Sequence, residues 1–333
     1  MIDLSDTARL MVLHGKGILA ADESVESANE KRLKPNGIEP TEENRRKFRD
    51  LMLSTPGIEQ YLTGVIFHEE TLTQKADDGT PFAELLHKKG ILPGIKVDQG
   101  LEPFPESPDE TITKGLIGLA ERLADYKKTY DTSFTKWRAV IKIDGTRLPT
   151  PQAIHENAKR LAMYALEVQK AGMVPMVEPE MLLDGNHSRL RAKEVLTDTL
   201  ATLMHVMEEQ AVDMSAVILK TAMVVSGKDS GRMDTPEEVA EDTVSVLMDT
   251  VPLDIPGVVF LSGGQTSDQA IANLAAITKV AREKKAPWPL TFSYARAFQQ
   301  DALAIWAGKD ENIPAAREAF LARLKQASEA LTG

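Results

Sequence analysis

The run Ser215-Ala216-Val217-Ile218-Leu219-Lys220-Thr221 places one amine at the end of an apolar stretch. Such a run reads as a central parallel strand that delivers Lys220 to the rim of a sheet. Burial against apolar walls disfavours the charged form of an amine. A lysine so placed is partly neutral and nucleophilic near pH 7, as Schiff-base chemistry on a carbonyl requires. Taken alone, the run has a plainer reading, a lysine that closes a strand and points into solvent.

Other ionisable residues end similar short runs: Asp22 and Glu23, Glu69, Lys96, the trio Lys136, Arg138 and Lys142, the pair Glu178 and Glu180, and Arg296. Singly, each reads as a solvated loop residue or a helix cap. Together they are rich in cations, within a chain of formal net charge −11. A basic cleft in an acidic protein focuses a field that draws in a small anion. Amine-catalysed carbonyl chemistry also needs an acid to protonate a carbinolamine and a base to take the proton back. Glu178 suits that part. Lys136 is a like charge that favours a neutral neighbouring amine and stabilises an ionised Glu178. Asp22 suits removal of a hydroxyl proton as a carbon–carbon bond breaks.

Composition excludes several alternatives. The negative charge argues against nucleic acid and acidic membranes, which are bound by basic surfaces. No cysteine is present, so thiol nucleophiles and thiolate metal sites are ruled out. His14, His68, His87, His155, His187 and His205 form no H-x-H or H-E-x-x-H pair, so no metal site is expected. Met1 to Asp6 lacks a basic segment followed by an apolar one, and no apolar run approaches the roughly 20 residues that cross a bilayer. A soluble cytoplasmic protein is therefore predicted.

The elements that must position these residues follow from periodicity. Eight short apolar runs alternate with helical patterns. They are residues 17–23, 64–69, 94–98, 137–143, 173–178, 215–221, 257–262 and 290–294. Along the fourth, Lys136, Arg138, Val140 and Lys142 share one parity and so one face. Ile112, Leu116, Leu119 and Leu123 predict a helix after the third strand, and two helices close the chain. Thr235-Pro236-Glu237-Glu238 is a capping box with proline at the first helical position. With 333 residues, 42% of them hydrophobic, the chain suits one (β/α)8 barrel with extra terminal helices. An open doubly wound sheet is disfavoured, because no G-x-G-x-x-G follows the first strand. No linker or low-complexity segment divides the chain, so one domain over residues 1–333 is expected. In a barrel the active site lies at the C-terminal face of the strands, and the loops after strands seven and eight recur as phosphate sites. Ser262-Gly263-Gly264 follows the seventh strand, where glycine amides and a helix N-terminus suit a phosphate, and Arg296 follows the eighth.

Collinear stretches now identify a resemblance. Gly15 to Ser24, Thr41 to Arg46, Gln74 to Gly79, Gly94 to Asp98, Lys136-Trp137-Arg138, Val177 to Glu180, Leu219-Lys220, Leu261 to Gln265 and Thr291 to Tyr294 are similar to class I fructose-bisphosphate aldolases. The resemblance implies reversible cleavage of fructose 1,6-bisphosphate to dihydroxyacetone phosphate and glyceraldehyde 3-phosphate, with no metal or other cofactor. It implies that Lys220 forms the Schiff base, Glu178 is the main acid/base, Glu180 and Lys136 support it, and Asp22 acts at the carbon-4 hydroxyl. It selects Lys136 over Lys142. Ser262, Gly263, Gly264 and Arg296 would hold the 1-phosphate. Lys96 and Arg138, with Ser24, would face the 6-phosphate end, and Ser293 and Tyr294 count with the substrate contacts. A homo-oligomer, commonly a tetramer in this family, is implied.

Three departures stand out. Thr221 replaces the proline that often follows the Schiff-base lysine. The segment Val25 to Glu30 carries an insertion, which unsettles Ser27, Lys31 and Arg32 as phosphate contacts. Animal members end in a tail with a terminal tyrosine that aids proton transfer; here the sequence ends Leu331-Thr332-Gly333, so another group is expected to serve or the step to be slower. Competing readings are a transaldolase-like or deoxyribose-phosphate lyase, and a non-catalytic sugar-phosphate-binding barrel.

Overall fold

Strand and helix alternate as the periodicity predicts in a computed structural model, which describes residues 3–333; Met1 and Ile2 of the N-terminal stretch lie outside it. The strands in chain order are β1 (Gly17–Ala21), β2 (Leu62–Phe67), β3 (Leu92–Lys96), β4 (Leu101–Phe104), β5 (Ser107–Thr113), β6 (Phe134–Ile141), β7 (Val174–Met181), β8 (Ile218–Thr221), β9 (Gly257–Phe260) and β10 (Leu290–Tyr294). Eight of them close a parallel ring in the order β1-β10-β9-β8-β7-β6-β3-β2. Closure leaves no sheet edge to solvent. The ring therefore brings β1 beside β10, with Leu19 opposite Tyr294. The helices are α1 (Leu4–Met11), α2 (Val25–Ala28), α3 (Glu42–Leu53), α4 (Glu69–Thr73), α5 (Phe82–Lys88), α6 (Leu119–Tyr130), α7 (Pro151–Lys170), α8 (Arg189–Glu209), α9 (Pro236–Thr250), α10 (Ser267–Glu283), α11 (Arg296–Trp306) and α12 (Ile313–Thr332).

Local signals start the helices where expected. Thr235 caps α9 in the predicted reciprocal box with Glu238, and Thr266 caps α10 with Gln269. Pro175 lies within β7 opposite Thr135 without interrupting the strand.

The barrel lumen is filled from below. Ile18, Ile66, Phe134, Val174, Met176, Ile218 and Val259 form one buried cluster, closed beneath by Met11 of α1 and by Val12. The Phe134 ring occupies space that two glycines leave open: a Cβ on Gly94 would stand 2.3 Å from it, and one on Gly64 3.0 Å. A side chain at Gly94 is thus excluded by packing.

Three expectations are corrected. Ile112 is in no helix: residues 101–113 form an antiparallel hairpin, β4 with β5, and α6 begins only at Leu119. Ile112 packs with Phe104 and Ala153 beneath that hairpin. Its spacing to Leu116 and Leu119 mimicked a helix, but Pro103, Pro105 and Pro108 stand upstream and do not suit one. The lysine run is strand only from Ile218, because Met214–Ala216 form a 3-10 turn. The fourth barrel strand ends at Ile141, which leaves Lys142 exposed beyond it.

Candidate active site

Side chains of one parity point into the barrel, so each strand contributes a column that climbs from apolar to ionisable. On β6 the column is Phe134, Lys136, Arg138; on β7 it is Val174, Met176, Glu178, Glu180; on β8 it is Ile218, Lys220. Just beyond the end of β1, Asp22 continues Ile18 and Ala20. The upper layer therefore forms a charged floor on the apolar plug. It lies at the C-terminal ends of the strands, under a pocket of about 520 Å³. Seven cationic side chains and five carboxylates line this pocket, against the chain's overall excess of acid.

Within the floor the charges are paired. Glu178 bridges two lysines: Oε1 lies 2.9 Å from Lys220 Nζ and Oε2 lies 2.9 Å from Lys136 Nζ. Lys136 also meets Asp22 Oδ2 at 2.6 Å. Lys136, Glu178 and Lys220 are each 3% exposed. Burial opposes ionisation of Glu178, yet Lys136 and then Lys220 outweigh it and hold the carboxyl below its usual range. Burial likewise opposes ionisation of Asp22, and the same two lysines overcome it, so its pKa also falls. Lys136 loses solvation too, but Asp22, Glu178 and then Asp98 hold it firmly cationic, with its pKa raised. The walls around Lys220 are thus not apolar as the isolated run suggested; its amine sits in an ion-pair chain with a carboxylate at proton-transfer distance.

Two polar ends flank this centre. At one, Ser262, Gly263 and Gly264 leave β9 and lead into α10. Gly263 and Gly264 have φ of +49° and +91°, a left-handed path that glycine follows readily. Arg296 opens α11 and donates through Nη2 to the carbonyls of Gly264 and, at 3.1 Å, Gln265. Its pKa is lowered by burial and then by Arg32, so two guanidinium groups repel here, an arrangement that an anion relieves. Ser293 Oγ is buried on the same wall without a partner among the described residues. At the other end, Lys96 pairs with Asp98 at 2.7 Å and Arg138 pairs with Glu180. Ser24 caps α2, accepting from the Ser27 amide at 3.2 Å, and both serines line the pocket.

The pocket brings together Lys220, Glu178, Asp22, Lys136, Glu180, Lys96, Arg138, Ser262, Gly263, Gly264, Arg296, Ser24 and Ser293. Tyr294 is the exception and is corrected. Strand parity turns it outward; it is fully buried, its hydroxyl donates to the Ala270 carbonyl at 2.9 Å, and it packs on Phe292 and Phe298. Glu180 sits against Arg138 at the rim, away from the two lysines that Glu178 bridges. The segment Val25 to Glu30 forms α2 and runs on into a π-helical turn, Asn29–Leu33. It leaves Ser27, Lys31 and Arg32 on the pocket wall. Arg32 is steadied there by Glu23 at 3.0 Å and Gln299 at 2.9 Å, and Glu23 is held by buried Arg49 at 2.8 Å. Asp98, Gly100 and Leu101 also line the pocket and were not singled out. The parity of Lys96 and Asp98 beyond the third strand was the available signal for Asp98.

Comparison with known proteins shows the family. The family model described as fructose-bisphosphate aldolase class-I matches residues 3–333. The fructose-bisphosphate aldolase of Drosophila melanogaster is 48% identical over 332 residues, covering 99% of this chain and 90% of the relative. The cytosolic fructose-bisphosphate aldolase 6 of Arabidopsis thaliana is 47% identical over 96% of this chain and 87% of its own. A solved structure of the Plasmodium falciparum aldolase, in a ternary complex with TRAP and a small-molecule inhibitor, superposes with a TM-score of 0.95 at 43% identity, over 98% of this chain and 93% of that one. The chain belongs to the class I fructose-bisphosphate aldolases, Schiff-base lyases that reversibly cleave fructose 1,6-bisphosphate into dihydroxyacetone phosphate and glyceraldehyde 3-phosphate.

Proposed function

We propose that Lys220 is the Schiff-base lysine and that Glu178 is the group that moves its protons. The observation that carries this reading is the Glu178 bridge, 2.9 Å from each of Lys220 and Lys136. With its pKa lowered, Glu178 begins as a base. It takes a proton from Lys220, and the neutral amine adds to the substrate ketone. The same carboxyl, now protonated, returns the proton to the carbinolamine oxygen, which leaves as water. The resulting iminium is an electron sink. Asp22, held as a carboxylate, removes the carbon-4 hydroxyl proton; the carbon–carbon bond breaks and its electron pair passes into the enamine. Lys136 stabilises both carboxylates throughout.

The 1-phosphate is assigned to Ser262, Gly263, Gly264 and Arg296, with Ser293 beside them, and the 6-phosphate end to Lys96, Arg138 and Ser24. Glu180 fixes the Arg138 guanidinium. The reading extends to one domain, because ring closure joins β1 to β10 across nearly the whole chain. It extends also to a cytoplasmic homo-oligomer, tetrameric as the resemblance implies. The cytosolic name of the Arabidopsis relative supports the location.

The test of the site is covalent. Incubation with dihydroxyacetone phosphate followed by borohydride is expected to leave one reduced adduct, mapped by mass spectrometry to Lys220. Retained ligand binding with no adduct would favour a binding protein instead. Light scattering after gel filtration checks the oligomer; a monomer refutes it.

A further inference from the structure

The geometry points to Asp98 as a positioning residue for the distal phosphate, an inference that rests on the assignment of Lys96 and Arg138 to that end. Asp98 lies just past β3 with its side chain 4% exposed. Its Oδ1 meets Lys96 Nζ at 2.7 Å, and its main-chain carbonyl accepts from the same ammonium at 3.2 Å. An ammonium has three N–H groups. Asp98 thus holds that ammonium on the pocket wall by one hydrogen bond and one ion pair.

The other carboxylate oxygen works across the sheet. Oδ2 accepts the backbone N–H of Arg138 at 3.3 Å, one step beyond the last ladder pair, Lys96 with Lys136. Oδ1 also accepts from the Gly100 amide at 3.4 Å, at the root of the hairpin. One buried carboxylate therefore ties together both distal cations and the hairpin whose first residue, Leu101, lines the pocket.

Lysine has a long stem with many rotamers, and ordering it only when phosphate arrives weakens binding. Asp98 also competes with phosphate for the same cation. Positioning outweighs competition, because the carboxylate is itself fixed by the backbone N–H groups of Arg138 and Gly100. Asp98 touches neither Lys220 nor Glu178, and its pull on Lys136 ranks behind those of Asp22 and Glu178, so its main effect falls at the distal end.

The experiment compares fructose 1,6-bisphosphate with fructose 1-phosphate, which lacks the distal phosphate. Asp98→Ala is expected to raise KM for the bisphosphate about tenfold, with kcat within about threefold, as for one lost charged contact. The kcat/KM for fructose 1-phosphate should stay within about twofold of wild type. Asp98→Asn keeps an acceptor oxygen and recovers most of the KM; it also serves if the alanine variant does not fold. In the Lys96→Met background, Asp98→Ala should add little further change in KM. Equal losses on both substrates, an unchanged or lower bisphosphate KM, or full additivity with Lys96→Met would each overturn the inference. Failure of the wild-type enzyme to form the Lys220 adduct would instead overturn the site assignment beneath it.

Discussion

The two ends of the barrel lumen are built from the same strands and the same side-chain parity, yet they do opposite work. Below, Ile18, Phe134, Val174, Met176 and Ile218 exclude water and pack against α1. Above, Asp22, Lys136, Glu178 and Lys220 are almost as deeply buried, but as a chain of ion pairs. Buried charges are expensive unless each is matched. The upper layer meets that condition by alternation, carboxylate against ammonium, and a ligand-facing amine stands at one end. The lower layer serves stability; the upper layer gathers buried charge beneath the pocket.

Substitutions can break or sharpen this contrast. The largest effect belongs to Lys220→Ala, which should reduce turnover by about 10⁴-fold or more while circular dichroism remains native. A fully active variant would refute the assignment. Next is Lys136→Met, expected to lower kcat by about 10²- to 10³-fold, the scale of a lost electrostatic stabiliser. Its pH signature is more telling. With the shared cation gone, burial dominates and the Glu178 and Asp22 pKa values rise, so the acid limb of the rate profile moves to higher pH. In the wild type both values are depressed below the ordinary 4.5 and 3.8. The stability these carboxylates contribute is therefore present above those ordinary values and lost as pH falls through the folded ones. An acid limb that stays in place would argue against the ion-pair chain.

Phe134→Ala tests the lower layer. It should cost about 3–5 kcal/mol in denaturant unfolding, through lost burial and a cavity, with kcat of the folded enzyme nearly unchanged. A large loss of kcat would show that plug and floor are coupled. The smallest effect is expected of Tyr294→Phe. Removing its bond to the Ala270 carbonyl should cost about 1 kcal/mol in stability and leave kcat and KM within about twofold. A marked rise in KM would return Tyr294 to the site.

The legible and illegible parts of the site divide along a physical line. Strand ends, caps and the glycine loop depend on neighbours a few residues away, so the places of Lys220, Glu178, Ser262 and Gly263 on the pocket wall are legible that way. Pairings depend on residues distant in sequence. Glu178 and Glu180 are alike in the sequence, but register opposes Arg138 to Glu178 and Val140 to Glu180 while side-chain reach pairs Arg138 with Glu180. Tyr294 was included because its stretch matched the family; parity alone would have turned it away from Ser293. Asp98 escaped notice because a buried carboxylate two residues from a lysine looks no different from a solvated one.

By itself, the amino-acid sequence determined the alternating strands and helices, the barrel they imply, and a lysine at the end of a barrel strand, since periodicity and residue type act locally. Tertiary structure alone decided which carboxylate meets which cation, that residues 101–113 make a hairpin, and that Asn29–Leu33 make a π-helical turn. Those outcomes hang on closure of the ring, which fixes distances between side chains that the chain keeps far apart.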